Sequence, residues 1–99
     1  MTESMWIVRT ENAGCFAVAH YTFDPVTRTA ELTNARRLWY WAGAASLSEL
    51  AMRGPSKPLD CKFPTAMSHV IVTQVIEIID VTDEAAQRIE RVPVWSAHD

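Results

Sequence analysis

His69-Val70-Ile71-Val72-Thr73-Gln74-Val75-Ile76-Glu77-Ile78-Ile79-Asp80-Val81 is almost unbroken β-branched sequence. Side chains branched at Cβ are stiff and pack well on a pleated surface. The run predicts a long central strand or two bent strands, buried on much of both faces. Gln74 and Glu77 interrupt it. Working backwards, Met5 to Thr10 is short, apolar and β-branched, which predicts a first strand. Glu11-Asn12-Ala13-Gly14 reads as a turn. Cys15 to Phe23 predicts a second strand, with Phe16, Val18 and His20 on one face and Ala17, Ala19 and Tyr21 on the other. Asp24-Pro25-Val26-Thr27 is a second turn, because Pro pre-sets φ and Asp can bond its own backbone. Arg28 to Asn34 alternates again, with Ala30 and Leu32 facing together.

Helix signals fill the rest. Ser46 and Glu49 have capping-box spacing, so a short helix should run from Leu47 to about Arg53, and Gly54 and Pro55 should stop it. Gly54 to Met67 holds three of the five prolines and reads as a surface loop pinned by Phe63. Thr82 caps a second helix over Asp83 to Arg91, with acids in its first turn and arginines in its last, as the helix dipole favours. Pro93 ends it, Val94-Trp95 can add a short strand, and Ser96 to Asp99 reads as a loose tail. The chain is therefore expected to be mainly β with two short helices, a single domain over residues 1–99 with an ordered core of about 5–95. A small antiparallel SH3-like or Sm-like β-barrel, or a strongly bent sheet, leads. An open α+β sheet with both helices on one face is the alternative.

Composition narrows the function classes. With 48% hydrophobic and 21% charged residues, part of the apolar surface is expected in a subunit contact, hence a homo-oligomer. A net charge of −3 argues against duplex nucleic acid, which proteins grip with a basic face. The N-terminus has no secretory pattern and no apolar run is long enough to span a membrane, so the cytoplasm is the expected compartment. Cys15 and Cys61 lie far apart without C-x-x-C spacing. They read as small buried residues in a reducing cytosol, with a disulfide as the minor alternative. His20, His69 and His98 form no metal-ligand pattern, and no metal or cofactor is expected. Ser96, His98 and Asp99 hold the letters of a triad but sit in the tail. No nucleophile has an activating base, so an enzyme is not expected.

The chemistry concentrates in Asn34-Ala35-Arg36-Arg37-Leu38-Trp39-Tyr40-Trp41-Ala42-Gly43. Two guanidinium groups pair with phosphate, and three rings can stack. The small run through Gly43, Ala44 and Ser46 precedes a helix start, where free amides attract anions. These eight residues, Arg36, Arg37, Trp39, Tyr40, Trp41, Gly43, Ala44 and Ser46, are the candidate binding residues for a small anionic, nucleotide-like ligand. Lys57 and Lys62 can border such a site. The same residue types are the usual anchors of protein interfaces, so contact with a host protein or self-assembly is the rival reading. A single-stranded nucleic-acid-binding barrel is a third. On a strand, Arg36 and Arg37 face opposite sides, as do Trp39 and Trp41 relative to Tyr40.

The block from Asn34 to Ala51 resembles one found in a family of small proteins of tailed bacteriophages. Similarity extends to Cys61-Lys62-Phe63-Pro64, to Val75-Ile76-Glu77-Ile78-Ile79 and to Val92-Pro93-Val94-Trp95, covering roughly Trp6 to Trp95. That family carries no assigned activity, so no residue role is transferred. The resemblance implies a context, a phage product acting in the bacterial cytoplasm. There, small non-enzymatic proteins antagonise host machinery, for instance by sequestering a nucleotide signal.

Overall fold

The structure, a computed structural model, describes residues 4–96. Five strands form one antiparallel sheet: β1 (Trp6–Thr10), β2 (Cys15–Asp24), β3 (Thr29–Arg37), β4 (Met67–Val72) and β5 (Val75–Asp80), in the order β4-β3-β2-β1-β5. Helices α1 (Leu47–Arg53) and α2 (Asp83–Glu90) and a 3-10 turn at Pro58–Asp60 complete the chain. The mainly β fold with two short helices stands as expected. The sheet is open: β4 and β5 are its two edges and share no ladder. The architecture is thus the open sheet with both helices on one face, and the barrel does not close.

The apolar run His69–Val81 is where expectation and structure part most. Of the two alternatives the two strands hold, broken at Thr73-Gln74 with Gln74 at φ 56, but they lie at opposite edges of the sheet and not at its centre. Val72 and Val75 are buried, whereas Ile71 and Ile76 are 56% and 45% exposed. Consecutive strands at opposite edges force curvature. The Glu11 N–H donates to Gln74 O at 3.0 Å, and the Val75 N–H donates to Arg28 O at 2.9 Å. Glu11 and Arg28 belong to turns at opposite ends of β2, a strand about 30 Å long if straight. Both ends can meet one two-residue link only if the sheet curls strongly.

The curl encloses one apolar cluster of Val8, Phe16, Val18, Ala30, Leu32, Ala35, Val72 and Val75. Its opposite face carries a second, where Ile7 and Ala17 meet Leu50 and Ala51 of α1, Ile89 of α2, and Leu38, Cys61, Phe63 and Val92. The strict alternation expected along β2 fails once. The β2–β3 pairing skips Ala19 and Asn34, and Asn34 adopts φ 53. Beyond that break Tyr21 joins the cluster of Phe16 and Val18 instead of facing away, with its ring edge-on to Trp6 at 5.3 Å. Asn tolerates this left-handed conformation better than most residues, which makes the switch affordable there.

Both caps form as their spacing predicts. Ser46 Oγ accepts from the Glu49 N–H at 3.1 Å, while the Glu49 carboxylate takes the Ala45 N–H at 2.6 Å. Thr82 Oγ1 accepts from the Ala85 N–H at 3.1 Å and donates to Met52 O at 2.7 Å, tying the start of α2 to the end of α1. Asp24 accepts from the Val26 N–H at 2.9 Å, the expected local turn bond. Phe63 is fully buried and anchors its loop. Val94 makes only a single parallel bridge to Phe63 rather than a closing strand. Of the expected loose tail, residues 97–99 lie outside the described residues, as do His98 and Asp99 of the dismissed triad.

Candidate functional site

β3 continues past Asn34 to Arg37, so Arg36 and Arg37 do face opposite sides. Arg36 turns toward the helices. Its Nε donates to Pro64 O at 3.2 Å, Nη1 to Ile89 O at 3.2 Å, and Nη2 to Phe63 O at 3.1 Å and Val92 O at 2.8 Å. Four of the roughly five guanidinium donors are thereby committed to backbone carbonyls. Ile89 O lies in the last turn of α2, where it also accepts from the Val92 N–H at 3.1 Å, and Val92 O lies just beyond the helix. Desolvation is the main cause that lowers the Arg36 pKa, with the Cys61 thiol acting in the other direction. The group stays charged. Its place is structural: it clamps the Phe63 loop to the exit of α2. Arg37 lies on the other side, its guanidinium 4.6 Å from the Phe16 ring and bonded to Ala13 O.

The small run is likewise occupied. Gly43 takes φ 84, and a Cβ there would sit 2.6 Å from Lys57 N, so only glycine fits. Gly43 O accepts from Ser56 through its N–H at 3.2 Å and its hydroxyl at 3.0 Å. Ala44 packs against the helix-side cluster. Ser46 and the Ala45 amide are held by Glu49, and α1 has only seven residues. This segment is a close-packed connection whose groups bond within the fold.

The strand ends before the three rings, and all three line one recess rather than two opposite faces. Trp41 packs partly into the helix-side cluster. Trp39 and Tyr40 are 57% and 52% exposed, and a recess of about 280 Å³ lies over Trp39, Tyr40 and Trp41. Tyr40 and Lys62 exchange backbone hydrogen bonds at 3.3 and 2.8 Å, which brings the Phe63 loop alongside. The Trp95 N–H donates to Phe63 O at 3.0 Å, which brings the C-terminal segment beside it. Trp95 then meets Trp39 with ring centres 4.9 Å apart. The Lys62 ammonium stands 5.5 Å from the Trp39 ring, 6.0 Å from Tyr40 and 5.6 Å from Trp95. Residues from three distant segments therefore form one exposed aromatic surface with a single cation.

Sequence reading found Trp39 and Tyr40 and noticed Lys62, but not Trp95 as their partner. Only the backbone bridge through Phe63 joins them, and no local pattern announces it. Among the described residues, no three His, Cys, Asp or Glu side chains gather as a metal site would require. Cys15 is half-buried and Cys61 buried, both as free thiols. Among the described residues no helix is long and apolar enough to cross a membrane.

An open curled sheet backed by two helices, with an aromatic surface at one end, defines the class of protein. The chain belongs to the family described as a domain of unknown function, DUF6948, whose model matches residues 3–89. No curated protein and no solved structure matches it.

Proposed function

We propose that this is a non-enzymatic interaction module that docks a protein surface on Trp39, Tyr40 and Trp95, with Lys62 as the neighbouring charge. The observation that carries the reading is the exposure of these rings side by side. Adjacent large aromatics left 57% (Trp39), 52% (Tyr40) and 37% (Trp95) exposed form the kind of apolar patch that a partner covers. Trp and Tyr supply much contact area for little lost side-chain entropy, which is why they dominate interface hot spots. The first partner to test is a second copy. The resemblance to tailed-phage proteins makes a host protein in the bacterial cytoplasm the next.

The test is molar mass by light scattering across a concentration series, for the parent and for Trp39→Ala and Trp95→Ala. Concentration-dependent assembly that either substitution abolishes, with unchanged far-UV circular dichroism, supports self-docking. A host partner captured by the parent and lost by both variants supports the same surface in its other use. A strict monomer with no ring-dependent partner overturns the reading.

One observation favours a second reading, capture of a nucleotide-like ligand. Lys62 beside the recess over Trp39, Tyr40 and Trp41 pairs a stacking surface with a phosphate-seeking charge. In this version Arg36 and Arg37 build the fold and Lys62 takes the role first expected of them. Quenching of tryptophan fluorescence by a panel of cyclic nucleotides and ADP-ribose derivatives tests it, and a flat response across the panel counts against it.

A further inference from the structure

A second surface combines charge with a shaped recess, and it shares no residue with the aromatic one. Arg88 and Arg91, on and just after the last turn of α2, face Pro55, Ser56 and Pro58 across a recess of about 320 Å³. Arg53 precedes this loop and Lys57 lies within it, so four of the nine Lys and Arg residues of a chain of net charge −3 belong to these two segments, although only Arg88 and Arg91 line the recess. Arg53, Lys57 and Arg91 are exposed, and their side chains make no hydrogen bond or ion pair with another described residue. Arg88 is held in place: Nη1 donates to Arg53 O at 3.0 Å, and Nη2 lies 3.5 Å from the Glu84 carboxylate. That carboxylate removes part of its charge and leaves Arg91 as the free one.

The ordinary explanation for arginines at a helix end is compensation of the negative C-terminal dipole. Arg88 fills that role for α1, through Arg53 O, but for Arg91 the explanation is weaker, because Arg36 already donates to Ile89 O in the last turn of α2. The opposite wall is rigid. Pro55 and Pro58 fix their own φ, and Ser56 is tied to Gly43 by two bonds. Gly54 packs so tightly that a Cβ there would lie 2.8 Å from the Arg88 Cβ. Forked guanidinium groups over a preformed wall match phosphate oxygens in geometry as well as charge.

We infer that the recess between the Pro55–Pro58 loop and the end of α2 is a binding site for a phosphate or pyrophosphate group of a small ligand, with Arg91 and Arg88 as its donors. The test is a titration of the full chain with inorganic pyrophosphate, followed by amide nuclear magnetic resonance shifts, for the parent, Arg91→Gln and Trp39→Ala. Arg91 is the variant of choice because its side chain holds nothing in the fold. Saturable shifts confined to Ser56, Lys57, Arg88 and Arg91 are expected. Arg91→Gln should weaken binding about tenfold, the loss of one charge-assisted hydrogen bond, and Trp39→Ala should leave it unchanged. A parallel titration with ADP separates a bare phosphate site, with equal affinity, from one where a nucleoside adds contacts, with higher affinity. No saturation by about 10 mM pyrophosphate, or equal shifts at every cation of the chain, or the same affinity in Arg91→Gln, would overturn the assignment.

Discussion

Replacing Arg36 by Ala should destabilise the protein far more than replacing Arg37, the other arginine of the candidate run. Four carbonyls lose a charged donor at once: Phe63 O, Pro64 O, Ile89 O and Val92 O. A hydrogen bond to a charged group contributes roughly 1.5–3 kcal/mol, so independent bonds would set a ceiling of roughly 6–12 kcal/mol. The bonds are not independent, since all four meet one guanidinium. Phe63 O keeps the Trp95 N–H and Ile89 O keeps the Val92 N–H, and Arg36 is only half-buried, so water reaches the remaining carbonyls and recovers part of the loss. A destabilisation of about 2–4 kcal/mol is the expected balance, large for a single substitution but within the range of a broken buried network. At about 4–8 °C per kcal/mol for a domain of this size, the midpoint of thermal unfolding should fall by at least about 8 °C. Arg36→Lys should recover less than half, because an ammonium offers a point charge rather than a fork. Urea unfolding monitored by far-UV circular dichroism measures all three proteins. An Ala variant within about 0.5 kcal/mol of the parent would refute the structural role and return Arg36 to the list of groups available to a ligand.

Three further outcomes follow from local geometry. Gly54→Ala places a Cβ 2.8 Å from the Arg88 Cβ at a φ of 75, and should cost about 1–3 kcal/mol in urea unfolding. Thr82→Ala removes both the cap of α2 and the bond to Met52 O, costing about 1–2 kcal/mol by the same measurement, while Thr82→Ser should retain most of it. Burial raises the Cys15 thiol pKa, with Arg9 opposing and Glu77 adding to the shift. Alkylation by iodoacetamide at pH 8 should therefore be slower at Cys15 than in a short unstructured peptide. The sign for stability is set by the same shift: above the ordinary thiol value of about 8.5 the unfolded chain loses its proton first, so stability falls with rising pH, and Cys15→Ser should flatten that fall.

Local chemistry was readable wherever the determining groups sit close in sequence. The caps at Ser46 and Thr82, the stop at Gly54-Pro55 and the Asp24 turn each depend on residues within a few positions, and each forms. Pairing between distant segments was not readable. Val70 to Ile79 has the same composition whether it lies at the centre of a sheet or along two edges, and only the choice of partner strands decides. The face switch at Asn34 depends on one residue entering the left-handed region, which Asn allows without requiring. Arg36 and Arg37 show the sharpest limit. Adjacent arginines beside aromatic rings read as ligand chemistry, yet four carbonyls from three later segments converge on Arg36 and one turn carbonyl takes Arg37. Trp95 was invisible for the same reason, since its neighbour Trp39 lies half a chain away and only the Phe63 bridge joins them.

The Thr73-Gln74 link has a kinetic consequence. Its two flanking strands cannot pair with each other, so the quick local hairpin that such a short connection usually nucleates is unavailable. β5 must instead find β1, whose paired residues Thr10 and Val75 lie 65 positions apart. Closing so large a loop before any contact rewards it slows the search, and folding should run at the slow end for a domain of this length. Until it finishes, Val75, Ile78 and Ile79 stay uncovered, and that interval is when the protein is most exposed to aggregation.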